Sequence, residues 1–145
     1  MTTQLETLQQ LYEAYTQKAR TVLANKKFGE GLFGFGGKAA DDPCHMQFVA
    51  DVRALLENDL PTDDAALCEL LTWMLHMADG YDKIPSIYWT LIAAQGAALP
   101  LIPRLAPTDA AALHDSYKRA YNRWSLLPVQ SDILRQLDKA RKAKR

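Results

Sequence analysis

Apolar residues recur at three- and four-residue steps along most of the chain, which is the spacing of one face of an α-helix. A first helix is predicted over residues 3–25, and a second starts with Asp42 as N-cap and Pro43 in its first turn and ends before Pro61. The shared face of the first helix is formed by Leu5, Leu8, Tyr12, Tyr15, Ala19 and Val22. No segment shows the alternation of a half-buried strand, so the pattern predicts an all-α fold.

Two later helices are apolar around most of their circumference. The third is predicted from Thr62 to about Asp79, with Gly80 as its C-terminal stop, and the fourth lies within PSIYWTLIAAQGAALP. A helix of this kind must be covered on several sides, so we expect the two to form a central apolar hairpin. Pro100 and Pro103 then predict a kink or a separate short turn.

Two amphipathic helices follow, one over about residues 108–123 and one starting at Pro128. A chain of 145 residues has the size of one domain. We therefore predict a single-domain bundle of five to six helices over residues 1–145. The order of the helices does not fix their neighbours, so a closed bundle and a short helical solenoid both stay open.

The composition is that of a globular protein, with 48% hydrophobic and 23% charged residues. The N-terminal MTTQLETLQQLYEA lacks the basic and apolar regions of a secretory signal, and no apolar stretch approaches the roughly 20 residues of a membrane span. Two cysteines, Cys44 and Cys68, do not make a disulfide framework in a chain of this size. We expect a cytoplasmic protein with no membrane association.

Charge is uneven along the chain although the formal net charge is zero. Residues 41–82 contain one Lys or Arg and ten Asp or Glu, whereas residues 83–145 contain eleven Lys or Arg and four Asp or Glu. Residues 138–145 form a basic C-terminal tail, which we interpret as a fraying helix end whose cations suit the negative end of the helix dipole. No aromatic residue lies between these cations, which argues against a nucleic-acid-binding groove.

A Gly/Phe-rich loop is predicted over residues 26–41, and FGEGLFGFGGKAADDPCH (28–45) leads from it into the second helix. It is not a Walker loop, because Leu32 stands where the first glycine is needed and Ala39 where Ser or Thr is needed. The letters Gly29-x-Gly31-x-x-Gly34 fit the dinucleotide pattern, but the strand and the later acidic residue that give the pattern meaning are missing.

Three uses of this loop stay open. It folds back over the bundle as a packed Ω-loop, it docks into a partner, or it covers a small-molecule cavity. In the second case the side chains that contact the partner are Phe28, Leu32, Phe33 and Phe35, with Lys38 as a cationic anchor.

Three histidines, His45, His76 and His114, each belong to a different predicted helix. Three imidazoles can bind zinc or nickel, but the sequence has no Glu-x-x-His, His-x-x-x-His, Cys-x-x-Cys or calcium-loop spacing. We therefore assign no metal site and no cofactor. His76 lies between Trp73, Met74 and Met77, a pattern typical of a hydrogen-bonded core histidine.

Cys44 and His45 occupy a helix start, where the helix dipole lowers a thiol pKa. The adjacent Asp41 and Asp42 oppose this effect, because negative charge disfavours a thiolate. The sequence also identifies no third group that would orient the imidazole. We assign no catalytic residue on this evidence.

Two function classes follow. The first is a non-catalytic helical protein-interaction module that binds a protein partner or a second copy of itself, with the Gly/Phe-rich loop as a contact element. The second is a small ligand- or metal-binding bundle with hydrolytic or thiol chemistry, in which Cys44, His45 and His76 surround an internal pocket. We favour the first, because no nucleophile with a credible general base and no ligand set is recognisable.

Overall fold

A computed structural model of the chain describes residues 4–26, 43–58, 61–81, 84–120 and 127–143. Within these ranges the structure contains six α-helices and no strand, gathered in one compact body, so the all-α prediction is confirmed. The helices are α1 (Gln4–Lys26), α2 (Pro43–Asn58), α3 (Asp64–His76), α4 (Pro85–Gln95), α5 (Pro107–Ala120) and α6 (Pro128–Arg141). A 3-10 helix, Gly96–Arg104, follows α4 directly and is called the 3-10 segment below.

Proline marks the start of most helices. Four of the six begin with it, at Pro43, Pro85, Pro107 and Pro128. Proline fits the first helical position because its missing N–H is not needed there and its φ angle is already helical. Helix α3 begins instead after Asp63, whose carboxylate accepts a 2.7 Å hydrogen bond from the N–H of Ala66.

The 3-10 segment accounts for the predicted break after the fourth helix. Pro100 and Pro103 both lie inside it, and each removes a donor that a regular α-helix would need. Ala98, Leu101 and Ile102 of this segment are nevertheless buried, so it forms part of the core. The guanidinium of Arg104 donates to the carbonyl of Pro61 at 3.2 Å and fixes the end of the segment beside the start of α3.

Helices α3 and α4 supply much of the core, as their apolar patterns predict. The fully buried side chains of these two helices include Leu70, Leu71, Met74, Leu75, Ile87, Leu91 and Ile92. Their arrangement differs from a simple hairpin, however. Helix α4 packs most extensively on α2, while α3 packs on α1, α5 and the 3-10 segment. The reason is that a helix which is apolar all round can use any of its faces, so its sequence does not select the neighbouring helix as its partner.

Gln95 links α3, α4 and α5 inside the core. It is fully buried at the end of α4, and its amide nitrogen donates to the carbonyl of Leu75 at 3.2 Å. Its amide oxygen accepts a 2.8 Å hydrogen bond from the hydroxyl of Tyr117. Burial raises the pKa of that phenol far above its ordinary value, so Tyr117 stays a neutral donor.

The outer helices complete the body. Helix α1 packs along α2, and α5 packs along α6, which also covers the 3-10 segment. The predicted apolar face of α1 is confirmed, with Leu8, Tyr15 and Ala19 buried. None of the helices in the described ranges combines the length and the apolar character that a bilayer crossing requires.

Candidate functional site

Several residues that the sequence analysis singled out lie outside the described residues. These are the five contact candidates of the Gly/Phe-rich segment, Phe28, Leu32, Phe33, Phe35 and Lys38. Cys44 is the second residue of α2, but its side chain is likewise outside the description. The remaining candidates, His45 and His76, are both described, and they belong to separate hydrogen-bond networks.

His45 lies in a buried network between α1, α2 and α4. Only 4% of its surface is exposed. Its Nδ1 lies 2.5 Å from the hydroxyl oxygen of Tyr15 and 3.0 Å from that of Thr90. Thr90 also donates its proton to the carbonyl of Ser86 at 2.8 Å. Two hydroxyl groups from two other helices therefore converge on one imidazole nitrogen.

The network around His45 joins three helices inside the molecule. The ring of Tyr15 stacks on Phe48 at 4.5 Å and meets the imidazole edge-on at 5.5 Å. Polar groups that are removed from water need hydrogen-bond partners, and the network supplies them to Nδ1 of His45 and to the hydroxyl groups of Tyr15 and Thr90. With so little exposed surface, His45 is inaccessible to a substrate in this conformation.

His76 lies in a second network, at the surface between α3 and α5. It is the last residue of α3, and 23% of its side chain is exposed. Its Nδ1 lies 3.0 Å from the carboxylate of Asp79, in the turn that follows α3. Its Nε2 lies 3.0 Å from the hydroxyl of Ser116 on α5, forty residues away in the sequence. Ser116 also contacts the carbonyl of Leu113 at 3.1 Å.

The chain of contacts Asp79–His76–Ser116 has the order carboxylate, imidazole, hydroxyl, which is the arrangement of an activated nucleophile. The sequence analysis missed Asp79 and Ser116 as partners of His76. Asp79 is three residues beyond His76, a spacing that brings two side chains together on a helix or a following turn. For Ser116 the sequence contains no comparable signal, because Ser116 is forty residues from His76 and meets it only through the packing of α3 on α5.

The other titratable side chains of the described residues are weaker candidates for a functional site. In the described part of the chain, no group of three or more His, Cys, Asp or Glu side chains is placed to bind a metal ion. His114 has Nδ1 at 3.6 Å from the neighbouring Asp115. Cys68 is a half-buried free thiol whose pKa is raised, chiefly because burial disfavours the thiolate.

An exposed apolar face is the second feature that the sequence did not indicate. Met46 is 77% exposed and Trp89 is 63% exposed, and they are the large hydrophobic side chains exposed within the described ranges. Between α2 and the 3-10 segment lies an open cavity of about 320 Å³. Its lining consists of Arg53, Leu56, Glu57, Gly96, Ala97, Pro100 and Leu101.

Helical geometry places these residues on one side of the α2 and α4 pair. The two helices run in the same direction, because His45 near the start of α2 meets Thr90, while the end of α2 meets the segment that follows α4. Each helical residue turns the side chain by about 100°. Met46 follows His45 on α2, and Trp89 precedes Thr90 on α4. Starting from the His45–Thr90 contact, the two side chains are therefore rotated about their helices in opposite directions. Because the helices face each other, both side chains end on the same side of the pair. We call this surface the α2–α4 face, made of Met46, Ala50, Arg53 and Glu57 with Trp89, Ala93, Ala97 and Pro100.

Two opposite charges on the α2–α4 face, those of Arg53 and Glu57, form no salt bridge among the described residues. The two residues are four positions apart on α2. On α6, by contrast, Asp132 pairs with Arg135, and Asp138 pairs with Arg141 at 2.6 Å.

Comparison with known proteins gives no further assignment. No protein-family model, no curated protein and no solved structure matches the chain. The function of the protein must therefore be argued from its own side chains.

Proposed function

We propose that the protein is a helical interaction module that associates with a second copy of itself through the α2–α4 face. The observation that carries the proposal is the exposure of both Trp89 and Met46, which the helical geometry places on the same side of the α2–α4 pair. Large contiguous apolar surface is unusual on a soluble monomer, and tryptophan is enriched among the residues that dominate interface energies. Burial of these two side chains in an interface removes them from water.

The occupant is a second copy because the charges on the face are complementary to themselves. In a two-fold symmetric interface, a residue that contacts a second one across the axis is matched by the reverse contact. If the α2 helices of two copies pack antiparallel near residues 53 and 57, Arg53 of one copy meets Glu57 of the other. The two-fold symmetry then forms the same ion pair a second time. A partner of uniform charge would leave one of the two unpaired.

The Gly/Phe-rich segment stays in this proposal as a contact element. Along the sequence it leads directly into α2, whose first turn is followed at once by Met46. Phe28, Leu32, Phe33 and Phe35 would add apolar area to the contact and Lys38 a cation. Replacement of Phe33 and Phe35 by serine should then weaken association without loss of helical structure.

The test is a charge exchange measured by light scattering after gel filtration, over a range of protein and salt concentrations. Arg53→Glu alone and Glu57→Arg alone should each weaken self-association, because like charges then meet across the axis. The double variant should restore it, and so should a mixture of the two single variants. Trp89→Ser should weaken association by about 30-fold or more. Lys118→Ser, an exposed change on α5, is the matched control.

A natural chain that is monomeric at every concentration would contradict the proposal. So would association that is unchanged by Trp89→Ser, or a double charge exchange that behaves like the single ones. Circular dichroism of each variant separates a lost contact from a lost fold.

A further inference from the structure

The contacts around His76 fix where its protons lie. A carboxylate accepts hydrogen bonds and does not donate them, so the imidazole Nδ1, 3.0 Å from Asp79, must carry a proton. In the neutral imidazole, Nε2 is then an acceptor, and the Ser116 hydroxyl 3.0 Å away donates to it when its proton turns from the Leu113 carbonyl, to which it otherwise donates at 3.1 Å. In the charged imidazolium, Nε2 donates to Ser116, whose own proton turns to the carbonyl of Leu113 at 3.1 Å. Both states are therefore satisfied by the same side chains.

We propose that Ser116 is a nucleophile for activated carboxylic esters, with His76 as its general base and Asp79 as a positioning residue. The neutral state aims the hydroxyl proton at a base that a third group orients, which is the diagnostic geometry of nucleophilic catalysis. The side chains of His76 and Asp79 are 23% and 46% exposed, and Ser116 is half-buried, so the cluster lies at the edge of the molecule and is not sealed in the core. This inference is independent of the α2–α4 face.

The step balances with the ester as the only co-reactant. The Ser116 oxygen attacks the carbonyl carbon while its proton passes to Nε2 of His76. The carbonyl carbon then releases its alkoxide or phenoxide leaving group, which takes the proton or departs as the anion. The products are an acyl-serine and the free alcohol, and no electrons are exchanged with a third molecule.

The position of Ser116 also sets the class of substrate. It lies in the second half of α5, where its own N–H belongs to the helix and cannot stabilise an oxyanion. Nucleophile activation without that stabilisation suits esters with a good leaving group and not amides. The acyl-serine should also hydrolyse slowly, so the reaction is expected to stop near one acyl group per chain.

The neighbouring phenols do not compete with His76 as the base. Tyr117 approaches the imidazole with a centroid distance of 6.3 Å, and burial raises the pKa of its phenol far above the ordinary value. The pKa of Tyr12 on α1 is raised to about 12, chiefly by burial and then by Tyr81, with Asp79 adding to the effect. Both phenols therefore stay neutral at neutral pH, which leaves the imidazole as the base that contacts Ser116.

The experiment uses p-nitrophenyl acetate as the probe, with peptide mapping by mass spectrometry. Ser116 should be acetylated about 100-fold faster than Ser131, an exposed serine on α6 that serves as internal control. His76→Gln should remove the rate advantage. Asp79→Asn should lower the acetylation rate of Ser116, and Asp79→Glu should recover part of it, because a carboxylate accepts from Nδ1 of His76 and so orients the base.

A second variant keeps the test decisive if His76→Gln perturbs folding. In Ser116→Cys the introduced thiol should react with iodoacetamide faster than Cys68 of the same chain, because the same base assists it. The inference is overturned if Ser116 and Ser131 are acetylated at equal rates, or if Ser116→Ala releases nitrophenol as fast as the unchanged chain. Equal alkylation of the introduced thiol and Cys68 would also overturn it.

Discussion

The two described histidine networks use similar groups in different surroundings. His45 receives two hydroxyl groups and is 4% exposed, whereas His76 receives a carboxylate and a hydroxyl and has 23% of its side chain exposed. In the first, three helices are joined and the imidazole cannot be reached. In the second, two helices are joined and the imidazole faces solvent. Accessibility and the carboxylate, not the presence of a hydroxyl partner, distinguish a chemical site from a structural one.

The largest expected effect is the difference in stability between two matched variants. His45→Ala should lower the free energy of unfolding by about 3 kcal/mol, because it opens a cavity and leaves buried hydroxyl groups without their imidazole. His76→Ala should cost about 1 kcal/mol or less, because water can replace the lost contacts. Urea unfolding followed by circular dichroism measures both. Equal losses for the two variants would contradict the assignment of separate roles.

A smaller effect separates the two partners of His45. Tyr15→Phe should cost about 1 to 2 kcal/mol, because the hydroxyl at 2.5 Å is the closer partner of Nδ1. Thr90→Val should cost less, about 0.5 to 1 kcal/mol, since Thr90 contacts Nδ1 at 3.0 Å and a valine fills nearly the same volume. The same unfolding measurement ranks them. If Thr90→Val proves the more damaging, its bond to the carbonyl of Ser86 matters more than the imidazole.

The smallest effect concerns Cys68, which is half-buried like His76 but lacks an oriented base. Burial raises the pKa of its thiol, the hydroxyl of Thr72 lowers it, and the carboxylate of Asp109 raises it. Less thiolate than in an unperturbed cysteine is therefore present at neutral pH, and alkylation by iodoacetamide should be a few-fold slower than that of a free cysteine. The rate should keep rising at a pH where free cysteine has levelled off. Asp109→Asn should increase the rate, and faster alkylation of the unchanged chain would contradict this account.

Sequence patterns predicted the elements well. Proline positions located the start of α2 and α6, and Pro100 with Pro103 marked the 3-10 segment. The third helix was predicted from Thr62 and begins two residues later, at Asp64. The candidate sites were predicted less completely. His76 was predicted to be a hydrogen-bonded core histidine. It is hydrogen-bonded, but it lies at the surface with 23% of its side chain exposed, and Ser116 was not identified as its partner. The exposure of Trp89 was not predicted, because Trp89 belongs to a helix whose sequence is apolar around most of its circumference.

The sequence by itself therefore determined which stretches are helical and where each begins, because caps, prolines and the apolar period act within a few residues. Only the tertiary structure decided which side chains meet. Tyr15 and Thr90 reach His45 from thirty and forty-five residues away, and Ser116 reaches His76 from forty. The packing of α4 on α2, rather than on α3, likewise leaves Trp89 at the surface. The physical reason is that an apolar helix can bury any face, so the choice among faces belongs to the whole molecule and not to the helix.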